Sequence, residues 1–338
     1  MRTVKVGIAG AAGFSGLELF SMLVRHPHVE IVFITSEQHA GRPISDFIVA
    51  QKGGFDPVFE PLDPASQSVK AECVFFALPA ESSLEAGPGF VHDSVVIDLS
   101  AAYRLSDPVE YKKWYKHEHT ATEILPSAVY GMTEWNRDSV RTASLIANPG
   151  CYPTSVLIPM LPLMARGYCS NDTVIVDSKS GVSGMGRKVT PEATFMQISN
   201  NFRAYGVGTH RHTPEIAQEL ALAASFATPV IFTPHLLPIE RGILSTIYFK
   251  SAKTAEECRA HLAHFYEGEP FVRVLDNGLP EIAHVAHTNL CVCTVVPSGI
   301  PGTLIAVSTI DNLVKGAAGQ AIQNMNVRFG FPEETALV

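Results

Sequence analysis

The sequence predicts an α/β chain in two parts: a doubly wound parallel-sheet domain first, then an α+β domain built on a mixed or antiparallel sheet. Three observations carry this expectation. The chain opens with a β-turn-α-β unit. Short apolar runs of the kind needed by strands buried on both faces recur up to about residue 148. Beyond that point come long strand-like segments and loops rich in glycine and serine.

TVKVGIA (3–9) is a β-rich run. GAAGFSG (10–16) follows as a turn, and LELFSMLVRHP carries Leu17, Phe20, Leu23 and Val24 at helical spacing before Pro27 stops it. VEIVFIT (29–35) completes the unit, and AECVFFAL (71–78), SVVIDLS (94–100) and SLIANPG (144–150) read as further strands. NPGCYPTS (148–155) leads into a helix starting SVLIPMLPLM, with Pro153 suited to a first helical turn. TVIVDSKSGVSGMGRK (173–188) is a strand entering a loop, and PEIAQELALAA is an amphipathic helix. VIFTPHLLPIERGILSTIYFK and HTNLCVCTVVPSG are long strands, and TLIAVSTIDNLVKGAAGQAIQNMNVRFG is a strand followed by a helix. The expected division is 1–148, 149–309, and a terminal helix within 310–338 that returns to the first domain to bury its apolar face.

The 338 residues suffice for two domains, and 46% hydrophobic with 17% charged residues describes a globular chain. A net charge of −8 argues against nucleic acid or a membrane surface as partner. No apolar run reaches the roughly 18 residues of a membrane span. The N-terminus shows no charged leader with an apolar signal core, and the six cysteines are dispersed, so a reducing cytoplasm is the expected location. The long strands of the second domain present a broad sheet face, which leads to the expectation of a homodimer or homotetramer.

Gly10, Gly13 and Gly16 lie at a strand-to-helix junction, where glycine lets the backbone approach a pyrophosphate held by the helix start. This Rossmann-type turn, with Phe14 and Ser15 inside it, is the candidate dinucleotide site. At the end of the second strand, Ser36 and Arg42 suit the 2′-phosphate of NADP(H), whereas Glu37 suits NAD; NADP(H) is the cofactor expected.

Cys151 is fenced by turn formers at a helix N-terminus, where unclaimed N–H groups and the helix dipole stabilise a thiolate. A thiol that carries out acyl transfer needs an acid–base partner. His210 in GTHRHTPEI is the first choice and His212 the alternative. No further ligands accompany the two histidines, so no metal is expected. Ser180, Gly181, Ser183 and Gly184 offer donors for a phosphate or carboxamide. Arg104, Arg187, Lys188, Arg203 and Arg211 are candidates for gripping carboxylate or phosphate. Cys73, Cys258, Cys291 and Cys293 read as core or structural, and His117 and His119 as solvated.

Together these segments resemble the N-acetyl-γ-glutamyl-phosphate reductases, NADP-dependent enzymes of arginine biosynthesis. The resemblance runs over essentially the whole chain, with NPGCYPT and HRHTPEI, in that order, as its specific signals. It implies a semialdehyde-dehydrogenase type of second domain and a small acyl phosphate as substrate. It further implies Cys151 as nucleophile and His210 as acid–base. Cofactor contacts are implied from Gly10, Gly13, Ser15, the Ser180–Gly184 loop, Asn312 and Lys315. Asn148 and the arginines join the substrate candidates. The family commonly has a serine where Ala12 stands, which removes one hydroxyl from the phosphate loop. A related aspartyl or carrier-bound aminoadipyl phosphate, or a non-catalytic NADP sensor, are the competing readings.

Overall fold

In the computed structural model, which describes residues 2–48, 54–187 and 194–338, each apolar run of the first part becomes a strand of a parallel sheet. The elements are β1 (Val4–Ala9), α1 (Phe14–Leu23), β2 (Val29–Ile34), α2 (Pro64–Gln67), β3 (Cys73–Phe76), α3 (Ala80–Phe90) and β4 (Val95–Asp98). They continue with α4 (Pro108–Tyr115), β5 (Ala128–Tyr130), α5 (Thr133–Val140) and β6 (Leu145–Ala147). The six strands lie in the order β2-β1-β3-β4-β6-β5. β3 and β4 are buried at every residue, which explains why their sequences run apolar without alternation. β1 has β2 on one side and β3 on the other, so the glycine turn after it sits at a switch point of the winding.

The second part contains α6 (Cys151–Ala165), β7 (Val174–Ser180), α7 (Phe195–Ile198), β8 (Arg203–Ala204), α8 (His212–Ala224), β9 (Val230–Leu236) and β10 (Ile243–Lys250). It goes on through α9 (Ala255–Phe265), β11 (Val272–Val274), β12 (Cys291–Pro297) and β13 (Thr303–Ile310). Its seven-stranded sheet has the order β11-β12-β13-β10-β7-β9-β8, with parallel β11/β12 and β7/β9 pairs among antiparallel ones. In β7 and β10, buried and more open residues alternate. A short π-helical turn (Val314–Ala318) precedes α10 (Gly319–Phe329). By compactness the chain divides into Met1–Pro149 with Ala317–Val338, and Gly150–Gly316.

α6 is buried from Tyr152 to Met164 and carries Pro159 and Pro162 in its interior. Each proline lacks the N–H that would bond the carbonyl four residues back, which frees the oxygens of Ser155 and Ile158. Other side chains claim both: the Ser308 hydroxyl donates to the Ser155 carbonyl, and the Tyr266 hydroxyl to that of Ile158. The Ser155 hydroxyl meets Ser245 at 2.6 Å, and Ser245 meets Ser178 at 2.7 Å, so a chain of buried hydroxyls ties α6 to the sheet. α6 begins at Cys151 itself, earlier than its sequence suggests.

One expectation is corrected here. His119 is buried, not solvated: its Nε2 lies 2.9 Å from the Ala102 carbonyl, with Tyr103 and Tyr111 edge-on to the ring. His117 is exposed and pairs with Glu81 at 3.2 Å. Among the described residues, no helix is long and apolar enough to cross a membrane, and no cluster of His, Cys, Asp and Glu is arranged to hold a metal ion.

Candidate active site

Within the first unit, Gly10 has φ +82°, and a Cβ there would lie 2.4 Å from the Ala77 carbonyl oxygen, so only glycine fits. Gly16 is required by packing, since a Cβ would come within 2.5 Å of the Gly10 oxygen. Gly13 differs: among the described residues beyond its chain neighbours, the nearest atom to a Cβ placed there is the Gly10 oxygen, 3.7 Å away. Gly13 is also the N-cap of α1, which makes no side-chain capping bond, and Phe14 beside it is exposed. A bare helix start with a glycine that the protein's own packing does not need is the cradle a pyrophosphate requires.

At the end of β2, Arg42 is half-exposed, pairs with Asp46 at 2.9 Å and lies over the Phe47 ring. Ser36 is half-buried just after the strand. Glu37, the residue that favoured NAD, turns away and accepts the Leu62 amide at 2.8 Å. Its carboxylate is committed to its own loop.

Arg104 and Asn148 are both buried and bonded within the protein. Arg104 is 7% exposed and donates from Nε to the Asn148 carbonyl (2.8 Å) and from Nη2 to that of Leu99 (2.7 Å). Asn148 is fully buried: its amide donates to the Ala317 carbonyl, and its oxygen accepts from Asn324, which also bonds Gly131 and Thr133. Both side chains help to fix the loop that runs toward the cysteine.

In the second unit, Cys151 is the first residue of α6, after the N-cap Gly150. The Gly150 amide donates to Glu215 Oε1 at 2.8 Å, and Glu215 is fully buried in the first turn of α8. A Cβ on Gly316 would come within 2.8 Å of the Cys151 Cβ, so a glycine there lets the chain pass close to the thiol's own residue. The other five cysteines are buried and Cys151 is half-buried. Burial pushes the Cys258 thiol up to about 11 and that of Cys293 to about 12, so these thiols stay protonated and inert.

Tyr152 follows the cysteine, and its hydroxyl meets that of Tyr205 at 2.9 Å. Burial raises both phenols, Tyr205 to about 12. The His210 ring sits edge-on to Tyr152, Tyr205, Phe232 and His212, with centroids 4.9 to 5.6 Å away. Burial, and then the neighbouring Arg211 charge, lower its pKa to about 4. His210 Nδ1 accepts the His212 backbone amide at 3.1 Å. Glu219, one turn beyond Glu215, is pushed up to about 7 by burial, with the Glu215 charge adding to the rise.

Ser180, Gly181 and Ser183 are buried and Gly184 is exposed. Asn312 clamps this loop, donating to the Ser183 hydroxyl at 2.9 Å and accepting the Gly242 amide at 2.8 Å. Lys315 is fully buried with its ammonium 5.6 Å from the Phe271 ring centre. Arg187 and Arg211 are exposed, Arg203 is half-buried in β8, and Lys188 lies outside the described residues. Sequence reading missed Tyr152, Tyr205, Glu215 and Glu219. An acidic residue in a helix's first turn reads as ordinary dipole complementation, and nothing in PEIAQE signals burial.

Residues 5–143 match the family model described as semialdehyde dehydrogenase, NAD binding domain, and residues 151–312 match semialdehyde dehydrogenase, dimerisation domain. The chain is 47% identical over 340 residues to an N-acetyl-gamma-glutamyl-phosphate reductase of Geobacter metallireducens, covering 99% of this chain and 98% of that one. It is 46% identical over 338 residues to a protein of the same name from Desulforamulus reducens, with the same coverage. Among solved structures, aspartate semialdehyde dehydrogenase II of Vibrio cholerae, complexed with ASA, superposes with a TM-score of 0.75 at 16% identity, over 98% of this chain and 99% of that one. Aspartate semialdehyde dehydrogenase of Candida albicans with NADP gives 0.67 at 17%, over 96% and 98%. The fold is therefore shared with the aspartate enzymes, and the near-half identity over both units shows that the chain belongs to the N-acetyl-gamma-glutamyl-phosphate reductase family.

Proposed function

We propose that this chain reduces N-acetyl-γ-glutamyl phosphate to N-acetyl-L-glutamate 5-semialdehyde and phosphate, with NADPH, as a step of arginine biosynthesis in the cytoplasm. The observation that carries the reading is Cys151, half-buried at the start of α6 with the preceding amide held by a buried carboxylate.

The residues of the first unit fit the cofactor. Gly10, Gly13 and Gly16 leave the α1 N-terminus open to a pyrophosphate, with Phe14 and Ser15 at its rim. Ser36 and Arg42 suit a 2′-phosphate while Glu37 is occupied elsewhere. In the second unit, the Ser180–Gly184 loop, clamped by Asn312, is the proposed nicotinamide contact. When bound, NADPH supplies the hydride that reduces the acyl carbon.

The chain's own work is at Cys151. Its sulfur attacks the acyl carbon, the carbon–oxygen bond to phosphate breaks, and a thioester forms. The first-turn amides of α6 stabilise the oxyanion of each tetrahedral stage. His210 is the histidine that acts on the same oxygen. After reduction the carbon–sulfur bond breaks, which frees the aldehyde and restores the thiolate. Arg187 and Arg211, both exposed, remain the proposed partners of the substrate's anionic groups.

The outer face of the second sheet supports a homodimer. Strand register lines up Ile231, Ile175, Tyr248, Ile305 and Val296 in one apolar row across five strands, with Ile175 43% and Ile231 54% exposed.

The test is the reverse reaction: N-acetyl-glutamate semialdehyde, phosphate and NADP, followed by NADPH absorbance. Wild type is expected to give a phosphate-dependent signal. Cys151→Ala should give none while still binding NADP in a fluorescence titration. Near-native turnover by Cys151→Ala would remove the covalent step, and a signal only with aspartate semialdehyde would replace the substrate.

A further inference from the structure

We infer that His210 works as a neutral hydrogen-bond donor through Nε2–H, polarising the acyl oxygen and keeping its proton, and that it is not the base that ionises Cys151. This rests on the reading of Cys151 and His210 as the reacting pair and narrows the histidine's part in it.

The argument begins with one hydrogen bond. A backbone N–H can only donate, so His210 Nδ1, which receives the His212 amide at 3.1 Å, must present a lone pair. A neutral ring then carries its proton on Nε2. Protonating the ring would place a second N–H against that amide and break the bond. Burial, the Arg211 charge and the start of α8 favour the neutral ring, against the anions that Cys151 and Glu215 can present. Arg211 is adjacent, the N-terminus of α8 begins at His212, and the phenols of Tyr152 and Tyr205 stay uncharged at neutral pH. His212 packs edge-on, and Cys151 enters beside Tyr152.

The same turn occurs a second time in this chain. His26 Nδ1 accepts the His28 amide at 3.2 Å, and there the Nε2–H has a fixed partner, Asn326 Oδ1 at 2.9 Å. At His210 the corresponding N–H has no hydrogen-bond partner among the described residues. His26 is a satisfied buried histidine; His210 holds the same tautomer with its donor unspent.

The reaction's proton balance permits such a group. Each tetrahedral oxyanion collapses by re-forming the carbonyl, first as phosphate leaves and then as the thiolate leaves. No proton has to reach the acyl oxygen. The single proton consumed goes from solvent to the departing phosphate. A neutral imidazole whose pKa is held down at a helix N-terminus is a known way of polarising a carbonyl.

Three measurements on the full chain decide this. First, ¹⁵N spectra of histidine-labelled protein, with His210→Gln used for assignment, should show an Nε2-protonated ring that does not titrate between pH 6 and 8. Second, His210→Gln, which keeps a neutral N–H donor, should retain turnover within about tenfold of wild type, whereas His210→Ala loses roughly 10²–10³-fold. Third, the pH curve for iodoacetamide alkylation of Cys151 should be the same in all three proteins. A ring that titrates in that range, Gln as inactive as Ala, or an alkylation curve shifted to higher pH in both variants would each overturn the inference. A wild type without turnover on any acyl phosphate would instead overturn the function, and the spectra and alkylation curves would still report the state of the ring.

Discussion

Glu215 and Glu219 sit one helical turn apart on α8, both buried, and divide the labour between them. Glu215 accepts the amide ahead of the nucleophile, while Glu219, pushed up to about 7, remains mostly protonated until neutral pH. A carboxyl whose folded pKa is raised stabilises the fold fully below its unfolded value near 4.5. That contribution falls as pH rises from there to about 7 and is gone above it. Glu219→Gln removes this dependence. Melting temperatures of wild type and variant, measured from pH 4.5 to 8, should therefore diverge in the variant's favour as pH rises; parallel curves would mean that Glu219 ionises normally. The same scale shows where sequence reading stops. NPGCYPT and GTHRHTPEI point to Cys151 and His210 because turn formers and paired histidines are visible as letters. For Arg104 and Asn148 the letters do not show burial, nor the carbonyls that their N–H groups reach.

The elements that were legible are those whose sequence pattern has one physical explanation. β1, the glycine turn and α1 could be read because an apolar run, a cluster of small residues and a 3.6-residue period occur in the order a dinucleotide site needs. α6 was harder: Pro159 and Pro162 argue against a helix interior, and donors from β13 and from the end of α9 account for them. If the Tyr266 hydroxyl stands in for the N–H that Pro162 lacks, Tyr266→Phe should cost about 1–3 kcal/mol in chemical denaturation by leaving the Ile158 carbonyl unsatisfied. Pro162→Ala, which restores the helix's own donor, should recover most of that loss in the double variant. Additive losses in the two single variants would sink the pairing.

For the whole molecule, the apolar row through Ile231, Ile175, Tyr248, Ile305 and Val296 is where a second copy of the chain is expected. Ile175→Lys should therefore halve the mass seen by light scattering, with the far-ultraviolet circular dichroism unchanged; an unaltered mass would put the interface elsewhere. The prolines of α6 have a consequence of their own for the order in which the chain matures. A helix interrupted twice, at about 3 kcal/mol per interior proline, does not form in isolation. Its two substitute donors, on Tyr266 and Ser308, lie 108 and 153 residues downstream of the carbonyls they claim. The helix that carries Cys151 at its start is thus completed by segments that the ribosome delivers more than a hundred residues later.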